Sequence, residues 1–391
     1  MNPIDDIVRQ SGELARIRRD IHAHPEIGFQ ETRTSDLVAG KLQDWGIEVH
    51  RGIGKTGLVG IVRGERTGPR IGLRADMDAL PMAEATGAPH ASKNPGVFHG
   101  CGHDGHTTML LGAAQYLATT RNFPGEIALI FQPAEEGLNG AGAMIGDGLF
   151  RRFPCDEIYA LHNWPNTPLG QVTARAGAAM AGSDNFDIHI AGAGAHEAQP
   201  DKAIDPVMVA VHLAQALQTV VSRNVSPLRS AILSITQIEA GSAYNVIPET
   251  ARLGGTFRTF DEEVRDLCVR RIGEIAAGVG AAFGAKVDVD LRRGYRVLRN
   301  DAARAEAALS IAAGIVGAEN ATFAEDASGG SEDFAEMLNV VPGAYLLIGQ
   351  GDGPSLHNPA YDFNDSLTPI GASVLARLGE ERARALANRA A

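Results

Sequence analysis

Short apolar runs of β type alternate with helically spaced apolar positions through the first 180 residues and again beyond residue 293. The runs at 70–75, 126–131 and 157–161 each read as a buried strand. Each leads into polar residues: Asp76 and Asp78 after the first, Glu135 and Glu136 after the second, and His162 after the third. Helical spacing over 107–119 and 141–149 separates them, so the order is β-α-β-α-β. Past 293 the alternation resumes with a helix over 302–316, a strand over 344–348 and a helix from 369 onward. Ligands of such sheets gather outside the carboxyl ends of the strands. Polar residues far apart in the chain are therefore expected to meet at one edge.

Between these stretches the pattern changes. It predicts a strand over 185–190, a helix over 205–224, strands over 230–239 and 251–260, a helix over 262–283 and a strand over 286–292. The order β-α-β-β-α-β is that of the ferredoxin-like split unit, which closes its own four-stranded sheet. The chain therefore reads as an α/β catalytic domain in two segments, 1–180 and 294–391, interrupted by an inserted ferredoxin-like α+β satellite domain at 181–293. The helix over 207–221 is apolar enough to predict a homodimer, or a homotetramer, formed through the satellite.

Composition narrows the class. A chain of 391 residues exceeds what one hydrophobic core usually serves, in agreement with two domains. Lys and Arg total 35 against 47 Asp and Glu, a net charge of -12, which repels phosphate backbones and excludes a general nucleic-acid binder. The first thirty residues lack a basic start followed by an apolar run, and no run of about eighteen apolar residues occurs, so a cytoplasmic protein without a membrane segment is expected. Three cysteines, Cys101, Cys155 and Cys268, are too few and too odd in number for a disulfide framework, which leaves Cys101 reduced.

The densest chemistry lies at His99-Gly100-Cys101-Gly102-His103-Asp104-Gly105-His106. Cys101 and His103 are two apart, so in an extended segment both side chains leave the same face and can converge on a cation. A tight glycine turn around a buried thiol fits the same eight residues. The donors at the strand ends shift the balance: Asp76, Asp78, Cys101, His103, Glu135, Glu136, His162 and His357 are enough for two cations, which together acidify water and polarise a carbonyl. Glu135 and Glu136 are adjacent and point apart in an extended backbone, so one is expected as a ligand and the other as a proton carrier. Two rival motifs fail. Gly54-Lys55-Thr56 has Val49 where a P-loop needs its first glycine, and the glycines at 192 and 194 are followed by Glu197 where a dinucleotide fingerprint needs a third.

These segments resemble the M20 metallopeptidase family, in the branch of aminoacylases, hippurate hydrolases and auxin-conjugate amidohydrolases (M20D). The resemblance rests on ordered motifs: Arg18-Arg19-Asp20-Ile21-His22, Arg74-Ala75-Asp76-Met77-Asp78, the Cys101 segment, Gln132-Pro133-Ala134-Glu135-Glu136, Leu161-His162-Asn163, Asn245-Val246-Ile247-Pro248, Gly330-Ser331-Glu332-Asp333-Phe334 and Leu356-His357-Asn358-Pro359. It implies a mixed-sheet metallohydrolase fold and a metal-dependent amidohydrolase cleaving N-acyl amino acids of the hippurate or N-acetyl type. A dipeptidase, or a metal-dependent binding module without catalysis, is the alternative.

The resemblance also implies the roles. Cys101, His103, Glu136, His162 and His357 would bind two divalent metal ions, zinc or manganese, with cobalt or nickel as further options. Glu135 would be the general base and acid, Asp78 would orient a ligand, and Asp76 would support the site. His196 would stabilise the oxyanion. Asn245 and Arg258 would grip the substrate carboxylate, and Gly330 would add a backbone donor. The branch usually carries a histidine where this chain has Asp201, which bears on substrate preference more than on the reaction. His22, His24, His99 and His106 are expected to cap turns or satisfy carbonyls outside the site.

Overall fold

The strands Gly57–Arg63, Glu157–Trp164 and Gly343–Gly349 are buried along almost their whole length, as strands of a sheet covered on both faces must be. In the computed structural model, which describes residues 1–390, they belong to an eight-stranded mixed sheet. Its order is Glu48–Ile53, Gly57–Arg63, Pro124–Gln132, Arg66–Asp76, Glu157–Trp164, Gly343–Gly349, Val172–Ala174, Ala321–Phe323. The four central strands from Pro124–Gln132 to Gly343–Gly349 run parallel, with Leu73 opposite Leu129 and His162 opposite Leu347. Antiparallel pairs flank them on both sides. Leu73, Leu129, Phe131, Tyr159 and Leu346 join Met109, Leu117, Leu375 and Leu378 of two helices in one core.

The central strands match the expected runs, extended by one to four residues at their ends. The helix expected over 107–119 instead starts at His103 and runs to Thr120. Gly102, at φ 92, supplies the sharp turn that lets the helix begin there, and Gly105 leaves room for the Phe363 ring, which a Cβ would meet at 2.2 Å. The region expected as one helix over 141–149 is two, Gly140–Gly146 and Leu149–Arg152, broken where Gly148 turns left-handed at φ 89. Helices Ser11–Ala23 and Thr32–Asp44 and the two antiparallel strands that follow them lie outside the expected pattern. Strand Glu48–Ile53 is mostly exposed and polar, so hydrophobic patterning gives it no signal.

The residues around this sheet form one compact unit, Met1–Gly177, Arg299–Asp326 and Asp333 onward. A second unit comprises Ala178–Leu298 with Ala327–Glu332. Its sheet is antiparallel, in the order Ala231–Ala240, Thr250–Thr259, Gly182–Ala191, Lys286–Arg293. Helices Pro206–Thr219 and Glu262–Phe283 complete a β-α-β-β-α-β sequence of elements. Phe186, Ile188 and Ile190 on alternate positions of one strand pack with Leu213, Leu217, Cys268 and Ile272 of the helices. The other sheet face is open, so exposure alternates along Lys286–Arg293. Helix Pro206–Thr219 starts where Asp205 accepts the Val207 N–H at 2.9 Å and Pro206 sits in the first turn. Buried Asp184 takes both Arg265 Nη2, at 2.6 Å, and Nε, at 2.7 Å, which ties the central strand to helix Glu262–Phe283. No helix among the described residues is long and apolar enough to cross a membrane.

Candidate active site

Because strands Arg66–Asp76, Pro124–Gln132 and Glu157–Trp164 are parallel, their carboxyl ends share one edge of the sheet. The first delivers Asp76 and Asp78, the second leads into Glu135 and Glu136, and the third carries His162. Helix His103–Thr120 contributes His103 and, one turn on, His106. Cys101 immediately precedes it. His357 comes from the loop after Gly343–Gly349, in a left-handed conformation at φ 62, and its N–H donates to the Gly100 carbonyl at 2.8 Å. That bond pins its loop to the Cys101 segment.

These side chains converge. Cys101 Sγ lies 3.6 Å from His162 Nε2, and His357 Nε2 lies 3.4 Å from Glu136 Oε1. Ligand atoms of Cys101, His103 and His162 all lie within 4.8 Å of one another, as do those of Cys101, Glu136 and His357, and those of His103, Glu135 and Glu136. Cys101, His103 and Glu136 each belong to two of these three groups, so the donor sets overlap in one cluster.

The donor set fits divalent metals. His103 Nε2 and Glu136 Oε1 are buried without a hydrogen-bond partner, 3.9 Å apart. An unfilled buried polar atom costs about 1–3 kcal/mol, a penalty that coordination removes. Burial pushes the Cys101 thiol up, and Glu136 pushes it further. Burial opposes charge on His103, but Asp76, Cys101 and Asp78 outweigh it and raise its pKa well above the ordinary imidazole value. The neighbouring Cys101 sulfur and Glu136 carboxylate push His357 up to about 10. Protons on these imidazoles hold positive charge where the thiol and carboxylates call for cations. One sulfur, three imidazoles and a carboxylate suit zinc or a neighbouring first-row divalent ion.

A surrounding set of hydrogen bonds aims the donors. Asp78 Oδ1 lies 3.3 Å from His103 Nδ1, and the two carboxylate oxygens accept the N–H groups of Glu135 at 3.0 Å and Glu136 at 2.9 Å. His162 Nδ1 donates to the Asn163 carbonyl at 2.7 Å, which leaves Nε2 for the site. Asp76 is 2.7 Å from Arg74 Nη1 and 2.6 Å from His106 Nδ1, while His106 Nε2 meets Asn163 Oδ1 at 2.6 Å. His106, expected to lie outside the site as a cap, is thus part of its support. Its position one turn from His103 is the signal that identifies it.

The backbone at Glu135 and Glu136 is not extended, contrary to expectation. Ala134 is left-handed at φ 54, Glu136 has φ -69 and ψ 76, and Gly137 has φ 79. This twist turns both carboxylates toward His103. A left-handed alanine costs roughly 1–2 kcal/mol. Hydrogen bonds to a charged carboxylate are worth about 1.5–3 kcal/mol each, so the two that Asp78 accepts exceed that strain.

The other expected residues lie in the second unit. His196 is 60% exposed at its side chain, paired with Glu197 at 2.7 Å, and its strand pairs with Val246–Ile247. Asn245 is exposed, and its carbonyl accepts the Glu197 N–H at 3.3 Å. Arg258 Nη1 donates to the Gly329 carbonyl at 3.0 Å, and the Gly330 N–H donates to Ser328 Oγ at 3.1 Å. Asp201 lies exposed in a short turn. Of the remaining histidines, His24 caps its own helix through the Asp20 carbonyl, as expected. His22 instead pairs with buried Asp104 at 2.8 Å, and both ring nitrogens of buried His99 lack a partner.

Residues 72–381 match the sequence pattern of peptidase family M20/M25/M40. The chain is 43% identical over 378 residues to the hippurate hydrolase of Campylobacter jejuni, covering 97% of this chain and 98% of that protein. It is 40% identical over 356 residues to the N-acetyl-L-cysteine deacetylase of Bacillus subtilis, covering 90% and 84%. Among solved structures, a dinuclear metal-binding peptidase of the M20 family from Bacillus subtilis matches with a TM-score of 0.85 and 32% identity over 96% of this chain and 99% of that one.

Proposed function

The chain belongs to peptidase family M20/M25/M40 and is a hydrolase of amide bonds, and from that premise we propose that it cleaves N-acyl amino acids. The observation that carries the reading is Glu135, a buried carboxyl on the same twisted turn as Glu136 and within 4.8 Å of the donor atom of His103. Relatives are named for hydrolysing hippurate and for deacetylating N-acetyl-L-cysteine, and both compounds carry an acyl group on the amine of an amino acid.

Cys101, His103, Glu136, His162 and His357 would hold two divalent cations, zinc or manganese. When bound, such ions lower the pKa of water and polarise the scissile carbonyl. Glu135 takes the proton of the attacking water and returns it to the amine nitrogen as the C–N bond breaks. Asp78 keeps that carboxylate aimed by holding its backbone N–H and that of Glu136. His196 donates to the oxygen of the tetrahedral adduct, while Arg258 and Asn245 bind the substrate carboxylate and Gly330 lines its loop. Arg258 suits this role through its planar fork. We assign the enzyme to the cytoplasm, in agreement with its three free cysteines, and to a homodimer formed through the second unit.

The test is elemental analysis of the purified protein followed by a mass-spectrometric screen of N-benzoyl amino acids, N-acetyl amino acids and dipeptides. Release of free amino acid from the acylated substrates, stopped by chelator, is the expected result. Cleavage of dipeptides alone would move the substrate class, and activity unaffected by chelator would overturn the mechanism.

A further inference from the structure

Glu31 is a fully buried carboxylic acid that the proposed reaction does not use. It sits at the start of helix Thr32–Asp44, far in sequence from every donor described above. One carboxyl oxygen accepts the N–H of Ala134 at 2.8 Å, and the other accepts the hydroxyl of Thr56. Ala134 is the left-handed residue that opens the turn carrying Glu135 and Glu136. Thr56 lies in the tight turn between strands Glu48–Ile53 and Gly57–Arg63.

Gly28 and Gly57 also pack closely on this turn. A Cβ on Gly28 would stand 3.0 Å from Ala134 Cα and 2.8 Å from Leu138 Cδ1. A Cβ on Gly57 would stand 2.8 Å from Pro133 Cδ. Asp78 holds the N–H groups of Glu135 and Glu136, but the N–H of Ala134, where the backbone reverses, goes to Glu31.

We propose that Glu31 is a positioning residue for hydrolysis, which fixes the left-handed turn at Ala134 and thereby sets where Glu135 and Glu136 point. The proposal rests on the amidohydrolase reading above. It predicts an effect on turnover and on cation affinity, and little effect on substrate affinity, because Glu31 touches neither substrate nor donor atoms. Burial pushes the Glu31 carboxyl up to about 7. In Glu31→Gln the amide oxygen still accepts the Ala134 N–H while the amide NH2 can donate to the rotated Thr56 hydroxyl, whereas loss of the side chain orphans the Ala134 N–H.

Glu31→Ala and Glu31→Gln are compared with the parent by steady-state kinetics and by calorimetric titration of metal-stripped protein with manganese chloride. Removing a hydrogen-bond partner behind a metal site typically costs about 10- to 100-fold in affinity or activity. The expected result is a loss of that size in kcat and in manganese affinity for Glu31→Ala, with KM within about twofold, and near-parent values for Glu31→Gln. Equal kcat and equal manganese affinity in Glu31→Ala and parent overturn the proposal. So does a Glu31→Gln protein as impaired as Glu31→Ala. If Glu31→Ala does not fold, Glu31→Asp, which withdraws the acceptor by one methylene, must lower kcat at unchanged KM, and parent-like turnover there overturns it. If the parent hydrolyses no N-acyl amino acid, the functional reading fails, and the manganese affinities still decide the role of Glu31.

Discussion

The two sheets of this molecule treat polar side chains in opposite ways. In the eight-stranded sheet the central strands are buried on both faces and end in Asp76, Asp78, Glu135, Glu136 and His162, where water is scarce and every donor must find a proton, a hydrogen or a cation. In the second unit one face of the four-stranded sheet is open; Arg258 on that sheet is half-buried, and His196 and Asn245, outside it, are exposed. Charge interactions gain strength as water is excluded, so the first region holds the electrostatic leverage. The second offers groups that reach a ligand without a large desolvation cost. The proposed proton transfer draws on the former, and the proposed substrate contacts draw on the latter.

The sharpest way to break that contrast is Glu135→Gln. Loss of the proton carrier lowers kcat by about 10²- to 10⁴-fold with metal content unchanged by elemental analysis. Near-parent turnover would take proton transfer out of the buried region altogether. Next in size is His196→Ala, for which a loss of about 10²- to 10³-fold in kcat is expected from a donor to the oxyanion. No loss would confine the reaction to the first region. Cys101→Ala removes one of the donors shared between groups and is expected to lower cation affinity about 10- to 100-fold, read by calorimetric titration, with activity recovering as metal is added. Unchanged affinity would show that the sulfur is a bystander.

The smallest effect is one of stability. The folded-state pKa of Glu31, about 7, lies above its ordinary 4.5, so between those values the folded protein binds more protons than the unfolded chain. Stability contributed at this site is full below about pH 4.5 and falls as pH rises through 7. Glu31→Gln does not titrate. Its melting temperature relative to the parent is therefore expected to be higher at pH 8 than at pH 4, and a difference independent of pH would refute the shift.

Much of the first region is legible in the sequence for a physical reason. Strands buried on both faces must be continuously apolar, so the runs at 70–75, 126–131 and 157–161 stand out, and a charged residue directly after such a run has few places to go except the sheet edge. The exposed strand Glu48–Ile53 lacks that constraint and is silent. The return of Ala327–Glu332 to the second unit is equally silent, since only tertiary contact assigns it. The twist at Glu135 escapes patterning because it begins at an alanine, a residue that does not announce a left-handed backbone. Glu31 escapes for the same kind of reason: nothing in its neighbourhood marks it except the Ala134 N–H, 103 positions away. His106 is the exception that patterning could have caught, from its spacing to His103.

Cys101 offers its sulfur to two of the donor groups at the sheet edge, so a change at this one atom bears on both. If these residues hold two cations as proposed, losing the sulfur would weaken both positions at once, whereas losing His162 or His357 would weaken one.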